Sequence, residues 1–320
     1  MNKNIAIVAG EPRSINSEII AKSWKIIKNN QKKNIFIIGN YALIKKQLNI
    51  LKIKIPIKKV HSIKIKRSAK FLEIFDVPFK FKKPFEKKNK ETSKYILRCF
   101  DIAHDFAIKK SIKGFINCSI NKKKTFGKKN IGVTEFLAKK NKVKGSEIML
   151  IYNKKLSVVP LTTHVDIKNV AKKINYRFIK NKINSLNSGY YSIFKKKPKI
   201  AVLGLNPHNG ESRADSEERK IISPVIKLFK KNKQKIYGPF SSDTFFANNK
   251  ILKYDVILGM YHDQVLTPFK TIFKFDACNI TLGLKYFRVS PDHGTAEDIV
   301  GKKKANPFSL IRSIDFILNI

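Results

Sequence analysis

The chain has 320 residues, room for two domains at about 150 residues each, and its 42% hydrophobic and 11% aromatic content excludes global disorder. Sixty-seven Lys and Arg against 23 Asp and Glu give a formal net charge of +44, a surplus that raises nucleic acid, an anionic membrane or a phosphorylated substrate as partners. Only eight of the cations are Arg, and the lysines are spread along the whole chain with Ile and Asn. That distribution reads as the bias of A/T-rich codons rather than a dedicated polyanion surface. Cys99, Cys118 and Cys278 are odd in number, widely spaced and form no CxxC pair. They predict neither a disulfide framework nor a thiolate metal site, and a reducing compartment. The apolar stretch near the N-terminus runs quickly into Gly10 and Pro12, and no later run approaches the roughly 18 apolar residues of a membrane span. The expectation is a soluble cytoplasmic protein with no membrane partner.

Asn4 to Gly10 reads as a strand, Ser17 to Ile27 as a helix and Asn34 to Gly39 as a second strand. Residues 51–90 mix Lys and Ile with several prolines and read as irregular, whereas Glu91 to Lys110 carries apolar residues at helical spacing. Gly114 to Ile120 is another strand, and Ser119-Ile120-Asn121-Lys122 leaves it into a basic, glycine-containing segment suited to joining two domains. From Glu147, two β-rich runs flank Asn153-Lys154-Lys155, which predicts a hairpin ending at His164, and the pattern turns helical from Asp166. Strand-then-helix recurs at Lys199–Asn206 before a helix from about Ser216, at Tyr254–Met260 before His262, and at Asn279–Leu284 before a final helical region. Alternation of this kind predicts α/β architecture with a largely parallel sheet.

Three of the six histidines, His164, His208 and His262, each follow a β-type apolar run. Ligands of open α/β sheets collect beyond the carboxyl ends of strands, so three imidazoles arriving there suit one metal with an open coordination position; a strand-end histidine taken alone is an ordinary cap. Near the third histidine stand Lys270, Asn279 and Arg288. Lysine alone means little in this chain, but arginine is scarce, and Arg288 suits either an anionic substrate or a structural ion pair. Ser290 to Asp298 combines turn chemistry with helix-start residues, where backbone N–H groups suit an anion or nucleotide, or simply an ordinary capped helix. GxGxxG after the first strand, Walker A, HExxH and GxSxG are all absent from the sequence.

Six segments together carry a likeness: LTTHVDIKNV from Leu161, AVLGLNPHNGE from Ala201, GPFSSDTFF from Gly238, MYHDQVLTPFK from Met260, NITLGL from Asn279 and SPDHGTAEDIVG from Ser290. The chain resembles the 4-hydroxythreonine-4-phosphate dehydrogenase family of vitamin B6 (pyridoxal 5'-phosphate) biosynthesis, most strongly from about residue 114. The resemblance implies two α/β/α domains with a central cleft, isocitrate/isopropylmalate dehydrogenase-like, and a homodimer whose active site lies at the subunit interface. The first domain would be residues 1–125 plus 300–320, and the second, 126–299, would carry the metal ligands and the dimer interface. The implied metal ligands are His164, His208 and His262, holding one divalent ion such as zinc, magnesium or cobalt. The implied substrate contacts are Thr134, Lys270, Asn279 and Arg288. The segment with His293, Gly294, Thr295 and Asp298 would hold the adenosine part of NAD or NADP, and Asp243 is a candidate polar partner or base.

The implied reaction is NAD(P)-dependent oxidation of a small phosphorylated amino acid, 4-phosphooxy-L-threonine, followed by decarboxylation to 3-amino-2-oxopropyl phosphate. Two departures from the family pattern stand out. Val133-Thr134-Glu135 replaces a His-Thr-Glu step, and Gly10 to Glu18 replaces a GDPAGIGPE block with the loss of two glycines. The first departure keeps open a related four-carbon sugar-acid phosphate, erythronate or threonate 4-phosphate, as substrate. The charge alone would suit a nucleic-acid-binding protein, but scattered lysines without a reading motif imply no specific nucleic-acid partner.

Overall fold

The computed structural model describes residues 4–63, 67–86, 90–127, 132–143, 145–247 and 249–320. It divides into two compact units, Met1–Phe136 with Lys285–Ile320, and Leu137–Leu284. The sequence-based boundaries lay at 125/126 and 299/300, so the stretch from Lys285 groups with the first unit.

The first unit begins with β1 (Ile5–Val8), α1 (Asn16–Ile26), α2 (Asn29–Lys32), β2 (Ile35–Gly39) and α3 (Tyr41–Ile50). It continues with β3 (Ile57–Val60), β4 (Leu72–Asp76), α4 (Lys90–Ile108), β5 (Gly114–Asn117), α5 (Lys122–Phe126) and α6 (Val133–Lys140). The region read as irregular therefore contains two strands, a correction to the sequence reading. β3 is the outermost strand of this unit, and its two lysines, Lys58 and Lys59, are exposed while Ile57 and Val60 are half-buried. Such a strand has only a weak apolar signature. The basic segment expected to join two domains falls partly on residues 128–131, outside the described residues.

The second unit contains β6 (Ile148–Tyr152), β7 (Ser157–Thr162), α7 (Val170–Lys173), α8 (Tyr176–Phe194) and β8 (Ile200–Leu203). After them come α9 (Ser223–Lys231), β9 (Ile236–Phe240), α10 (Ser242–Phe245), β10 (Val256–Tyr261), α11 (His262–Phe273) and β11 (Cys278–Leu282). The chain then returns to the first unit as β12 (Phe287–Pro291) and α12 (Phe308–Asn319).

Strands of the first unit lie in the order β3-β4-β2-β1-β5-β12, every pairing parallel. Burial on both faces explains why β1 reads IAIV and β2 IFIIG, unbroken apolar runs without alternation. Helices start where asparagines supply the cap: Asn40 Oδ1 accepts from the Leu43 amide at 2.9 Å and Asn175 Oδ1 from that of Phe178 at 2.9 Å. The second unit orders its strands β11-β6-β7-β10-β8-β9, with β6 antiparallel to both neighbours and β7, β10, β8 and β9 mutually parallel. The expected hairpin is present, with Ile151 opposite Val158 and Tyr152 opposite Ser157. Its core packs Val265, Leu266 and Phe269 of α11 onto Val158, Ala201 and Ile257. The architecture is α/β, as the alternation predicted. Among the described residues no helix is long and apolar enough to cross a membrane.

Candidate active site

In the second unit β10 lies between β7 and β8, all three parallel. The carboxyl end of β7 leads to His164, that of β10 to His262 and that of β8 to His208, so the topology delivers three imidazoles to one edge of one sheet. Two side chains fix those ends. Thr162 Oγ1 donates to the Met260 carbonyl at 2.7 Å, tying β7 to β10. Buried Gln264 accepts from the Met260 amide at 2.6 Å and donates from Nε2 to the Gly204 carbonyl and to Ser242 Oγ, both at 2.7 Å, which joins β10, the exit of β8 and the start of α10.

His208 opens an unusual turn: His208, Asn209, Gly210, Glu211 and Ser212 all have positive φ, between 47° and 67°. Only glycine adopts that region without steric cost, so four non-glycine residues there store backbone strain that the surroundings must hold in place. Asn209 Nδ2 donates to the Pro239 carbonyl at 3.1 Å, and the Arg213 amide donates to the Gly210 carbonyl at 2.9 Å. A Cβ on Gly210 would come within 2.6 Å of Ser216 Cβ. The preceding loop is held by Glu218, 3% exposed, whose Oε1 accepts from the amides of Leu205 and Asn206, both at 2.7 Å. Burial opposes ionisation of this carboxyl, but the Asn206 amide and side chain and the Leu205 amide outweigh it and hold its pKa below the usual carboxylate range.

The rings of His164 and His262 stand with centroids 6.1 Å apart and planes tilted by 33°. His208 is turned to Asp243, its Nδ1 3.5 Å from Oδ2. Among the described residues no group of three or more His, Cys, Asp or Glu side chains is close enough to share one ion. The donor set nevertheless fits a dication in kind. Nδ1 of His262 lies 2.7 Å from Asp263 Oδ1, and Nδ1 of His208 lies 3.5 Å from Asp243 Oδ2, so a carboxylate engages the Nδ1 side of each of these rings and leaves Nε2 as the nitrogen for a metal. Asp243 is exposed; the Ser241 hydroxyl, 2.6 Å from its Oδ1, together with the Thr244 amide and His208, holds its carboxyl below the usual range. The geometry makes it a partner of His208.

The first unit holds a different cluster. Arg288 in β12 is 3% exposed, donates from Nε to Asn117 Oδ1 at 2.7 Å and from Nη1 to Thr134 Oγ1 at 3.3 Å. Two predicted substrate contacts, Thr134 and Arg288, are thus hydrogen-bonded to each other. Burial pushes the Arg288 pKa down to about 10, with Glu135 opposing the shift. Lys122, though exposed, is also lowered, first by desolvation against the neighbouring protein surface and then by the Arg288 charge, again against Glu135. Sequence reasoning missed Asn117, Lys122 and Glu135 as members of this site. The signal was present in Asn117 and Asn121-Lys122 closing a strand, but was obscured by the abundance of Asn and Lys. Val133, where the family pattern has histidine, is 4% exposed and contributes an apolar side chain beside this cluster in sequence.

The remaining predicted residues stand on other elements or positions of the two units. Lys270 is in the last turn of α11 and Asn279 in β11, where its Oδ1 is buried without a hydrogen-bond partner. Such an atom is a natural acceptor for a ligand donor. His293, Gly294, Thr295 and Asp298 form a loop ending in a single 3-10 turn, Glu297–Ile299, so the helix start read from the sequence is only that turn. A Cβ built on Gly294 would meet open space, and the Thr295 carbonyl accepts from the Ile15 amide at 3.2 Å. The altered N-terminal block is well tied. Asn16, at one of the two lost glycines, donates to the Ser119 carbonyl at 2.8 Å and accepts from Ser119 Oγ at 2.9 Å. Ser14, at the other, donates to the Glu11 carbonyl at 2.5 Å.

The fold is that of an α/β enzyme whose first unit buries an arginine among polar neighbours and whose second unit carries imidazoles at the ends of neighbouring strands. Comparison with known proteins gives the family. The profile described as "Pyridoxal phosphate biosynthetic protein PdxA" matches residues 31–317, and the chain belongs to that family. It is 35% identical over 322 residues to a 4-hydroxythreonine-4-phosphate dehydrogenase of Aquifex aeolicus (strain VF5), covering 99% of this chain and 98% of that one. It is 34% identical to the protein of the same name from Sulfurihydrogenibium sp. (strain YO3AOP1), over 98% and 97% of the two chains. The crystal structure of a 4-hydroxythreonine-4-phosphate dehydrogenase from Klebsiella pneumoniae superposes with TM-score 0.83 at 26% identity, covering 99% of this chain and 98% of that chain.

Proposed function

We propose that this protein is a 4-hydroxythreonine-4-phosphate dehydrogenase in the cytoplasm, oxidising 4-phosphooxy-L-threonine with NAD or NADP in the presence of a divalent ion. The observation that carries the reading is likeness over essentially the whole chain to relatives of that name, with His164, His208 and His262 all at the carboxyl ends of neighbouring parallel strands. A bound dication, zinc, magnesium or cobalt, would supply Lewis acidity toward the reacting hydroxyl, and a bound nicotinamide would accept hydride. His164, His208 and His262 would hold the ion, their rings oriented by neighbours such as Asp263 and Asp243.

Arg288 is buried, and the exposed Lys122 lies close enough for the Arg288 charge to lower its pKa, so the arginine raises the cost of charge on the lysine. An anionic group of the substrate relieves that cost, which favours phosphate or carboxylate between them. Thr134 Oγ1, Lys270 and the unpartnered Oδ1 of Asn279 supply further polar contacts to the substrate. The open loop around Gly294 accommodates the adenosine part of the cofactor, with Asp298 available to ribose hydroxyls. In the reaction the carbinol C–H leaves as hydride, the hydroxyl proton goes to a base, and the resulting β-keto acid loses CO2 and takes up a proton to give 3-amino-2-oxopropyl phosphate. We assign the imidazole-bearing second unit to a homodimer in which the active site is completed at the subunit interface.

Val133 supports a second reading, because replacing the family histidine by an apolar side chain alters the substrate wall; erythronate or threonate 4-phosphate would then be preferred. One assay separates the two. Purified protein is offered each of the three phosphorylated acids with NAD or NADP, and reduced cofactor is read by absorbance. A kcat/KM highest for 4-phosphooxy-L-threonine supports the first reading, and a preference of about tenfold or more for a sugar-acid phosphate replaces it with the second.

A further inference from the structure

The amino ends of β7 to β10, opposite the edge that carries the histidines, border a cavity of about 720 Å³. Seven of its fifteen lining residues are lysines, among them Lys155, Lys197, Lys199, Lys233, Lys235 and Lys253. Lys and Arg together make up 67 of the 320 residues of the chain, so compositional bias would place about three cations in a wall of this size. The one carboxylate, Asp255, is already engaged: Oδ1 accepts from Lys196 Nζ at 2.7 Å and Oδ2 from the Lys199 amide at 2.8 Å. The other six lysines form no ion pair among the described residues. Cations gathered in a concave wall without counter-charge focus a positive potential on it.

The same cavity carries features that a plain anion would not use. Tyr191 and Leu252 are each 53% exposed on its wall, offering a flat ring and an apolar flank. Asn187 Nδ2 donates to Gln234 Oε1 at 2.7 Å, which leaves Asn187 Oδ1 as acceptor and Gln234 Nε2 as donor on the same amide pair. An acceptor beside a donor matches the hydrogen-bonding edge of a nucleobase.

We propose that this groove is a nucleotide site separate from the dehydrogenase centre, taking a nucleoside di- or triphosphate. The lysines hold the phosphates, Tyr191 stacks on the base, and the Asn187–Gln234 pair reads its edge. The cavity volume is that of a site for a single small ligand, which favours a free nucleotide over a nucleic-acid strand.

The test uses the full-length protein with saturating NAD, so that any adenine affinity of the cofactor loop is blocked. Binding of ATP, inorganic triphosphate and a twelve-nucleotide single-stranded RNA is measured by calorimetry. It is repeated on the combined variant Lys197→Glu/Lys235→Glu/Lys253→Glu and on Tyr191→Ala, all exposed positions. ATP is expected to bind with a Kd below about 100 μM, weakened at least about 30-fold by the charge reversal. Tyr191→Ala is expected to weaken ATP by about tenfold and to leave inorganic triphosphate unchanged. Dehydrogenase activity stays within about twofold of the parent in both variants, which also reports that they fold. The proposal fails if ATP shows no saturable binding, or binds equally well to the charge-reversed variant. Equal affinity for triphosphate and ATP with no response to Tyr191→Ala would overturn base recognition. RNA binding about a hundredfold tighter than ATP through the same lysines would reassign the groove to nucleic acid.

Discussion

Arg288 and His208 show two opposite ways of holding a candidate functional side chain. Arg288 is 3% exposed, fixed by Asn117 and Thr134, and carries a pKa pushed down to about 10 by burial. His208 has a side chain 66% exposed, and it owes its position to a backbone turn of five residues in the left-handed region. Folding itself installs the arginine, whose burial carries a desolvation cost. The histidine costs little in desolvation, and the strain lies instead in the chain beneath it, held by Asn209, Gly210 and Glu218. If the proposed roles hold, substitution at the arginine should disturb stability as well as substrate binding, and substitution at the histidines mainly the chemistry.

Substitutions should expose that division, and the largest effect belongs to the exposed side chain. His208→Ala is expected to lower metal-dependent kcat by about 10³-fold or more while shifting unfolding free energy by no more than about 0.5 kcal/mol. Steady-state rates and urea denaturation on one preparation check both halves. A stability loss of several kcal/mol would show that the left-handed turn depends on the imidazole.

Arg288→Ala should reduce kcat/KM by about 10² to 10³-fold, mainly through the KM for the phosphorylated substrate rather than that for NAD. It should also cost about 1–3 kcal/mol of stability, because Asn117 Oδ1 loses its donor inside the protein. A rise confined to the KM for NAD would move Arg288 to the cofactor.

Glu218 supplies the pH signature of the second unit. Its folded pKa lies below the unfolded value, so it contributes stability that is present at neutral pH and is lost as pH falls below about 4.5 through the folded pKa. In Glu218→Gln the urea midpoint should be lower at pH 7 by an amount equivalent to about 1–3 kcal/mol, and the acid-side slope should flatten. An unchanged slope between pH 5 and pH 3 would assign the acid sensitivity to other carboxylates.

Val133→His should have the smallest effect, changing the ratio of kcat/KM for 4-phosphooxy-L-threonine over erythronate 4-phosphate by about two- to tenfold. No change in the ratio would show that position 133 does not face the substrate.

The sequence carried much of this architecture because strands buried on both faces announce themselves as unbroken apolar runs. β1, β2, β8 and β10 were legible for that reason, as was the β6–β7 hairpin from its turn residues. Other strands were hidden by their position in the sheet. β3 and β9 are outermost strands of their units, one carrying Lys58 and Lys59 and the other Gly238-Pro239, residues that an edge tolerates and that mask a strand in a sequence. At the site, rarity decided what could be seen. Six histidines and eight arginines in 320 residues made His164, His208, His262 and Arg288 stand out, whereas Lys122 was one lysine among many. Its setting, within electrostatic reach of Arg288 and Glu135, exists only once β5, β12 and α6 are assembled. The left-handed turn at His208 was likewise beyond periodicity, since one glycine in Asn209-Gly210-Glu211 does not foretell four non-glycine neighbours with positive φ.

Metal-stripped protein titrated with cobalt tests the central claim most directly, because ligand-field absorbance reports imidazole coordination independently of turnover. The account predicts one equivalent per chain, the same stoichiometry for restored NAD(P)H formation from 4-phosphooxy-L-threonine, and loss of both in His164→Ala, His208→Ala and His262→Ala. Full turnover by the stripped protein, or a cobalt spectrum indifferent to all three substitutions, would contradict it.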